Sequence, residues 1–299
     1  MRTLIAVIAA LTLAACATTP APSTACDRAC LGQRLDAYVA GLQRRDLSQA
    51  RIAPGFRGTE NGLATPPGAG LGRTLTALGD VQRRYYDPIT GQAAYLGTAK
   101  EGDATALVAI RIRIVDGLIA ESETFIARRG DALFSPEGFT ALPPRDPTPL
   151  PADKRSSREA MAAAANAYFD GLQSHSSANV PRVRGCERLE NGTRVTNRPP
   201  RDAPAGAPAV EFGATDCGSG LERMTQISAV VHRRFPLIDE EAGVVMGVGM
   251  FQRPPGQTGN FAKRLLLTEF FQVEQGKLSG IYAVMKYVEA DFPDSTGWN

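Results

Sequence analysis

AYVAGLQ at residues 37–43 returns almost letter for letter as AYFDGLQ at residues 167–173. The offset is 167 − 37 = 130. ENG occurs at residues 60–62 and again at 190–192, and 190 − 60 is also 130. A third anchor, RRY at 83–85 against RRF at 233–235, gives 233 − 83 = 150. Two equal offsets and a third that differs by one insertion mark an internal duplication. The extra 20 residues fall where NRPPRDAPAGAPA (197–209) supplies Pro/Gly-rich loop material. A second Pro-rich stretch, residues 135–157, reads as the joint between the repeats, because its prolines suit neither a helix interior nor a strand ladder.

Each repeat predicts one long helix followed by a strand meander. Leu31, Leu35, Tyr38, Val39 and Leu42 recur at helical spacing, and Asp27 stands where an N-cap would. Strand-like runs follow at 80–87, 91–99 and 106–129. The last contains Asp116-Gly117, a strong signal for a two-residue hairpin, and Gln275-Gly276 is its counterpart. Helix plus antiparallel meander is an α+β unit. The expected organisation is a leader at 1–15, a tether at 16–25, domains at 26–134 and 158–290, a joint at 135–157 and a tail at 291–299.

The long helix, the TENG turn and the meander together resemble the cone-shaped α+β barrels of the nuclear-transport-factor-two-like and SnoaL-like superfamily, over roughly residues 26–130 and 157–288. That resemblance implies a pocket between each helix and its sheet, and sheet-to-sheet pairing of the domains as an intramolecular pseudo-dimer. It does not fix an activity, since the superfamily includes isomerases, dehydratases and non-catalytic binders.

The hairpins suggest what lines those pockets. With Val115 opposite Leu118, unbroken pairing puts Ile112 opposite Glu121 and Ile110 opposite Glu123. Glu121 and Glu123 would then share the isoleucine face. In the second repeat the same count puts Phe271 opposite Gly280 and Glu269 opposite Tyr282. A carboxyl on an apolar face has its charged form disfavoured, which moves it towards acid/base use. Glu123, Glu269 and Tyr282 are therefore the catalytic candidates. Tyr38, Glu60, Glu121, Tyr168, Glu190 and His232 are the ligand-contact candidates. Plainer readings stand beside these. The glutamates would sit in solvent or pair with arginine, ENG would be a turn, Tyr38 and Tyr168 would be core, and His232 would be structural.

The N-terminus MRTLIAVIAALTLAAC closely resembles a bacterial lipoprotein signal, with LAAC as its lipobox. The apolar run is shorter than the roughly 20 residues a membrane span needs. The resemblance implies cleavage before Cys16, acylation of Cys16, and, with alanine following, an outer-membrane address facing the periplasm. An uncleaved anchor or a soluble export signal is the alternative. Four further cysteines suit an oxidising compartment. Cys186 with Cys217 is the long-range pair, stapling the base of the insertion. Cys26 and Cys30 fit a bridge across one helical turn, with a metal or redox CxxxC as the alternative reading.

A net charge of +2 without a basic cluster points away from nucleic acid, and two histidines point away from zinc. No nucleophile-elbow, phosphate-loop, zinc-protease or dinucleotide motif occurs, and no cofactor is expected. Two functions remain. One is an envelope-anchored binder of a small apolar or aromatic molecule or an envelope partner. The other is a cofactor-independent lyase, isomerase or dehydratase, with a glutamate as base and a tyrosine as proton donor. The lipobox reading predicts that Cys16→Ala moves the protein from the membrane pellet to the soluble fraction on fractionation. Unchanged partitioning would contradict it.

Overall fold

The computed structural model describes residues 26–141, 148–197, 215–293 and 298. The leader, Cys16 and the tether, the middle of the Pro-rich joint and nearly all of the insertion lie outside those residues.

Helix α1 spans Arg28–Arg44. Asp27 caps it by accepting the Cys30 N–H at 2.8 Å, and it ends where Arg45 takes a left-handed conformation. Leu31, Leu35, Tyr38, Val39 and Leu42 are its buried face. Six strands and one short helix follow: β1 (Ile52–Glu60), β2 (Leu63–Ala64), α2 (Leu71–Thr74), β3 (Ala77–Asp87), β4 (Gln92–Glu101), β5 (Ala104–Val115) and β6 (Leu118–Ala127). Helix α3 (Pro136–Ala141) lies in the joint. The joint is thus not wholly a linker, since Phe139 is fully buried. The second half repeats the plan with α4 (Arg158–Ser174), β7 (Arg182–Glu190), β8 (Thr193–Arg194), β9 (Ala229–Asp239), β10 (Val244–Gln252), β11 (Arg264–Glu274) and β12 (Lys277–Val288). Disulfides join Cys26 to Cys30 and Cys186 to Cys217.

The sheets have the same strand order, β2-β1-β6-β5-β4-β3 and β8-β7-β12-β11-β10-β9. They are mixed rather than purely antiparallel, because β1 runs parallel to β6 and β7 parallel to β12. The chain leaves α1 beside the β5–β6 turn, where Arg51 C=O accepts the Ile119 N–H, so both strands start at the same end. ENG closes the β1–β2 and β7–β8 turns with left-handed Asn and Gly pairs. Its asparagine also clasps the neighbouring strand. Asn61 bonds the Ile126 N–H and C=O, and Asn191 bonds those of Met285.

The hairpin turns fall where expected, with Asp116-Gly117 and Gln275-Gly276 all at positive φ. The register beyond them does not. Ile114 faces Ile119, but Arg113 faces Glu121 and Arg111 faces Glu123, so Ala120 is a bulge. One inserted residue reverses every later side chain. Glu121 and Glu123 therefore leave the isoleucine face and join Arg111 and Arg113, whose opposite charges make favourable cross-strand pairs. Ser279 is the equivalent bulge in the second half. Glu269 stays on the helix-facing side opposite Ala283, whereas Tyr282 and Val284 move to the other face.

Three apolar clusters form among the described residues. One joins α1 to the inner face of the first sheet through Ala93, Tyr95, Ile110 and Ile112. Another joins α4 to Leu267, Phe271 and Ile281 of the second. The third draws on both halves: Tyr85, Leu96, Ala109 and Phe125 pack with Leu237, Met246, Leu266, Phe270 and Tyr282. Tyr85 and Phe270 rings lie 5.5 Å apart.

Reciprocal ion pairs flank that third core. Arg28 of α1 forks onto Asp239 at 2.8 and 2.9 Å, and Arg158 of α4 forks onto Asp87 at 3.0 and 2.6 Å. Each aspartate also accepts a backbone N–H from the other half, Asp239 from Tyr86 at 2.9 Å and Asp87 from Ile238 at 3.0 Å. Burial alone would raise the Asp87 carboxyl. Arg158 and the Ile238 and Thr90 donors outweigh it and hold the group below its ordinary range. A depressed folded value stabilises above the unfolded one, near pH 4, and that contribution is lost as pH falls further. Asp87→Asn is expected to lower unfolding free energy by about 3 kcal/mol at neutral pH, measured by urea denaturation. The gap to the parent should close below about pH 4.

Candidate functional site

The space between helix and sheet differs between the halves. In the first it is a cavity of about 20 Å³ lined by Tyr38, Gly58, Glu60, Ser122 and Thr124 among others. That is room for about one water, far below the roughly 300 Å³ of a small-molecule site. Burial pushes the Tyr38 hydroxyl up to about 12, opposed by a hydrogen bond with Ser122. Glu60 is occupied structurally, since it accepts the Leu71 N–H at 2.7 Å at the start of α2. Gly70, at φ +57°, must be glycine there, because a Cβ would meet the Glu60 carboxylate at 2.1 Å.

In the second half the same place is filled by charge. Arg188, opposite Gly58 at the 130-residue offset, is fully buried. Its Nε lies 3.0 Å from Glu190 Oε1, and its Nη1 donates to the Tyr168 hydroxyl at 3.3 Å and to Cys217 C=O at 3.4 Å. Glu269, 3% exposed, completes the group, and its Oε2 has no hydrogen-bond partner among the described residues. Burial, then the Glu190 charge, pushes the Glu269 carboxyl up to about 8 against the opposing pull of Arg188. One guanidinium compensates one carboxylate in a dry interior, so the second keeps its proton. Burial also raises the Tyr168 hydroxyl.

Tyr168, Glu190 and Glu269 are thus together, and Tyr38 and Glu60 meet in the first half. The remaining candidates lie elsewhere. Tyr282 belongs to the core shared between halves. His232 is exposed on β9, at φ 53° within an irregularity of the β9–β10 pairing. Glu123, fully buried, accepts from Arg111 Nε at 3.1 Å and from Arg234 of the other half at 2.5 Å. Glu121 accepts from Arg111 and Arg113 at 3.0 and 3.1 Å, and these guanidiniums outweigh burial and hold its carboxyl below the ordinary range.

Arg188, Arg111 and Arg234 are the residues that pattern reading passes over. The offset offered a signal for the first, because the second repeat gains Arg188 opposite Gly58 and Glu269 opposite Ile110. The other two line a cleft of about 440 Å³ at the junction of the halves, with Arg113, Glu121, Gln92, Ile89, Pro236 and Trp298. Trp298 donates to Thr59 Oγ1 at 3.0 Å, and its ring lies 4.8 Å from the guanidiniums of Arg57 and Arg111. No group of three or more potential metal ligands occurs among the described residues.

Residues 154–285 match a family described as "Domain of unknown function (DUF8021)". No curated protein matches the chain. Among solved structures, a protein of unknown function with cystatin-like fold from Methylobium petroleophilum PM1 is 21% identical, with 36% of this chain and 83% of that chain covered and a TM-score of 0.30. A protein from Kribbella flavida DSM 17836 is 20% identical, with 36% and 90% covered and a TM-score of 0.29.

Glu269→Gln removes the titrating group at constant size. The folded chain keeps the Glu269 proton to about pH 8, while the unfolded chain releases it near 4.5. Between those values the unfolded state binds fewer protons, so parental stability falls as pH rises. Relative to Glu269→Gln, the parent should lose up to about 1.4 kcal/mol per pH unit between about pH 5 and 7.5. Urea denaturation reads this directly, and a pH-independent difference would contradict a protonated Glu269.

Proposed function

We propose that this chain is a lipid-anchored envelope protein that binds a small molecule at the junction of its halves. One observation carries the reading. The first-half interior holds about one water, while the junction offers about 440 Å³. Arg188 fills the equivalent interior of the second half. A binding role suits a molecule whose two repeats do not share a catalytic set: Glu123 is replaced by Tyr282, and Glu269 by Ile110, in the opposite repeat.

The anchoring rests on the lipobox resemblance at Cys16, with two disulfides in keeping with an oxidising compartment. The domains, 26–134 and 158–290, are of the cone-shaped nuclear-transport-factor-two-like kind, joined as an intramolecular pseudo-dimer. The repeated strand order and the reciprocal arginine–aspartate forks support this reading.

A second reading is favoured by the unbonded Oε2 of Glu269. A buried carboxylic acid that keeps its proton near neutrality is a general acid in waiting, and Tyr168 stands close to the same guanidinium. Turnover there would require the Arg188–Glu190 pair to move aside.

Native mass spectrometry of the purified full chain separates the two. Binding predicts one small molecule per chain, released unchanged on denaturation. A chemically altered molecule appearing on incubation would overturn it in favour of the enzyme.

A further inference from the structure

Three arginines line the junction cleft. Arg111, Arg113 and Arg234 line it with Glu121, and Glu123 accepts from Arg111 and Arg234 beneath. Arg57 lies against the Trp298 ring.

Arg111 is fixed from several directions. Glu123, Glu121 and Gln92 accept from its Nε and Nη1, and the Trp298 ring lies beside its guanidinium. It is only 2% exposed, yet its Nη2 makes no hydrogen bond among the described residues. Among the described residues Arg113 donates only from Nη1, which leaves its Nε and Nη2 open. An oriented guanidinium donor that reaches the cleft is available to an acceptor from solution. Two arginines with open, planar donors on one concave wall are suited to an oxyanion. Beside the polar Thr90, Gln92 and Glu121 the wall also has an apolar part. Ile89 is 72% exposed, and Pro236 and Trp298 lie beside it.

We propose that the cleft binds a small organic oxyanion, a carboxylate or a phosphate monoester. Its charged end would lie on Arg111 and Arg113, and its apolar body against Ile89, Pro236 and Trp298. This rests on the reading of the chain as a binding protein and adds the site's ligand chemistry. Neither half could form the site alone, since Arg111 and Arg113 come from β5 and Arg234 from β9.

Trp298 is the chain's single tryptophan, so its fluorescence reports on the cleft without a label. The test titrates benzoate, phenyl phosphate and inorganic phosphate into the purified full chain at constant ionic strength, with chloride as control and calorimetry as a second readout. The expected result is a saturable change in Trp298 emission with benzoate or phenyl phosphate. Arg113→Gln, a partly exposed position whose loss leaves Glu121 bonded to Arg111, should weaken it about tenfold, the worth of one charge-assisted hydrogen bond. Phenyl phosphate binding more tightly than inorganic phosphate supports the organic ligand, and equal affinity contradicts it. No saturable response beyond chloride in either readout overturns the proposal. So does binding that Arg113→Gln leaves unchanged. If native mass spectrometry finds a bound molecule that this variant retains, the cleft assignment falls and the binding role stands.

Discussion

Two buried aspartates, each held by the other half of the chain, organise this molecule. Asp87 and Asp239 are almost wholly excluded from water. An isolated carboxylate in such a place would take up a proton or expel itself. Each is satisfied instead by an arginine fork and backbone donors, and each set includes donors from the opposite repeat. These bonds are directional, so they specify how β3 lies beside β9. Apolar contact between the outer sheet faces supplies the bulk of the driving force, but on its own it would tolerate sliding. The forks fix the placement, and the shared cluster around Tyr85 and Phe270 fills what they define.

The junction cleft follows from the same placement. The outer face of the first sheet is apolar around Leu96, Ala109 and Phe125 and charged around Arg111, Arg113, Glu121 and Glu123. With the apolar part committed to the second half, the charged part forms one wall of a recess. Arg234 crosses to Glu123 and secures that wall. The repeats have diverged in step with this. The second has Phe270 and Tyr282 where the first has Arg111 and Glu123, so the charged wall exists once. Inside the helix-facing cores the divergence runs the other way, since the second half carries the buried Arg188, Glu190 and Glu269 group.

Much of the fold was legible from local chemistry. The helices announced themselves by the spacing of Leu31, Leu35, Tyr38 and Leu42, and the hairpins by Asp116-Gly117 and Gln275-Gly276. The helix–sheet faces beyond those turns were not legible, because a bulge at Ala120 or Ser279 has no compulsory residue type. One inserted residue is enough to exchange inside for outside. Glu123 shows the consequence: its expected pairing with Ile110 pointed inward, while its partners are Arg111 across the strand and Arg234, 111 residues away. Glu269 kept its face because the bulge shifted its partner strand rather than its own. ENG was legible as a repeat, but the clasp made by Asn61 and Asn191 depends on a neighbouring strand that local pattern cannot name.

The two halves share one core and so should stand or fall together. Differential scanning calorimetry of the full chain tests this most directly. A shared core fastened by reciprocal ion pairs predicts one unfolding transition, with calorimetric and van't Hoff enthalpies in agreement. Two resolved transitions, each with about half the total enthalpy, would mean that the halves unfold independently and would contradict a common core.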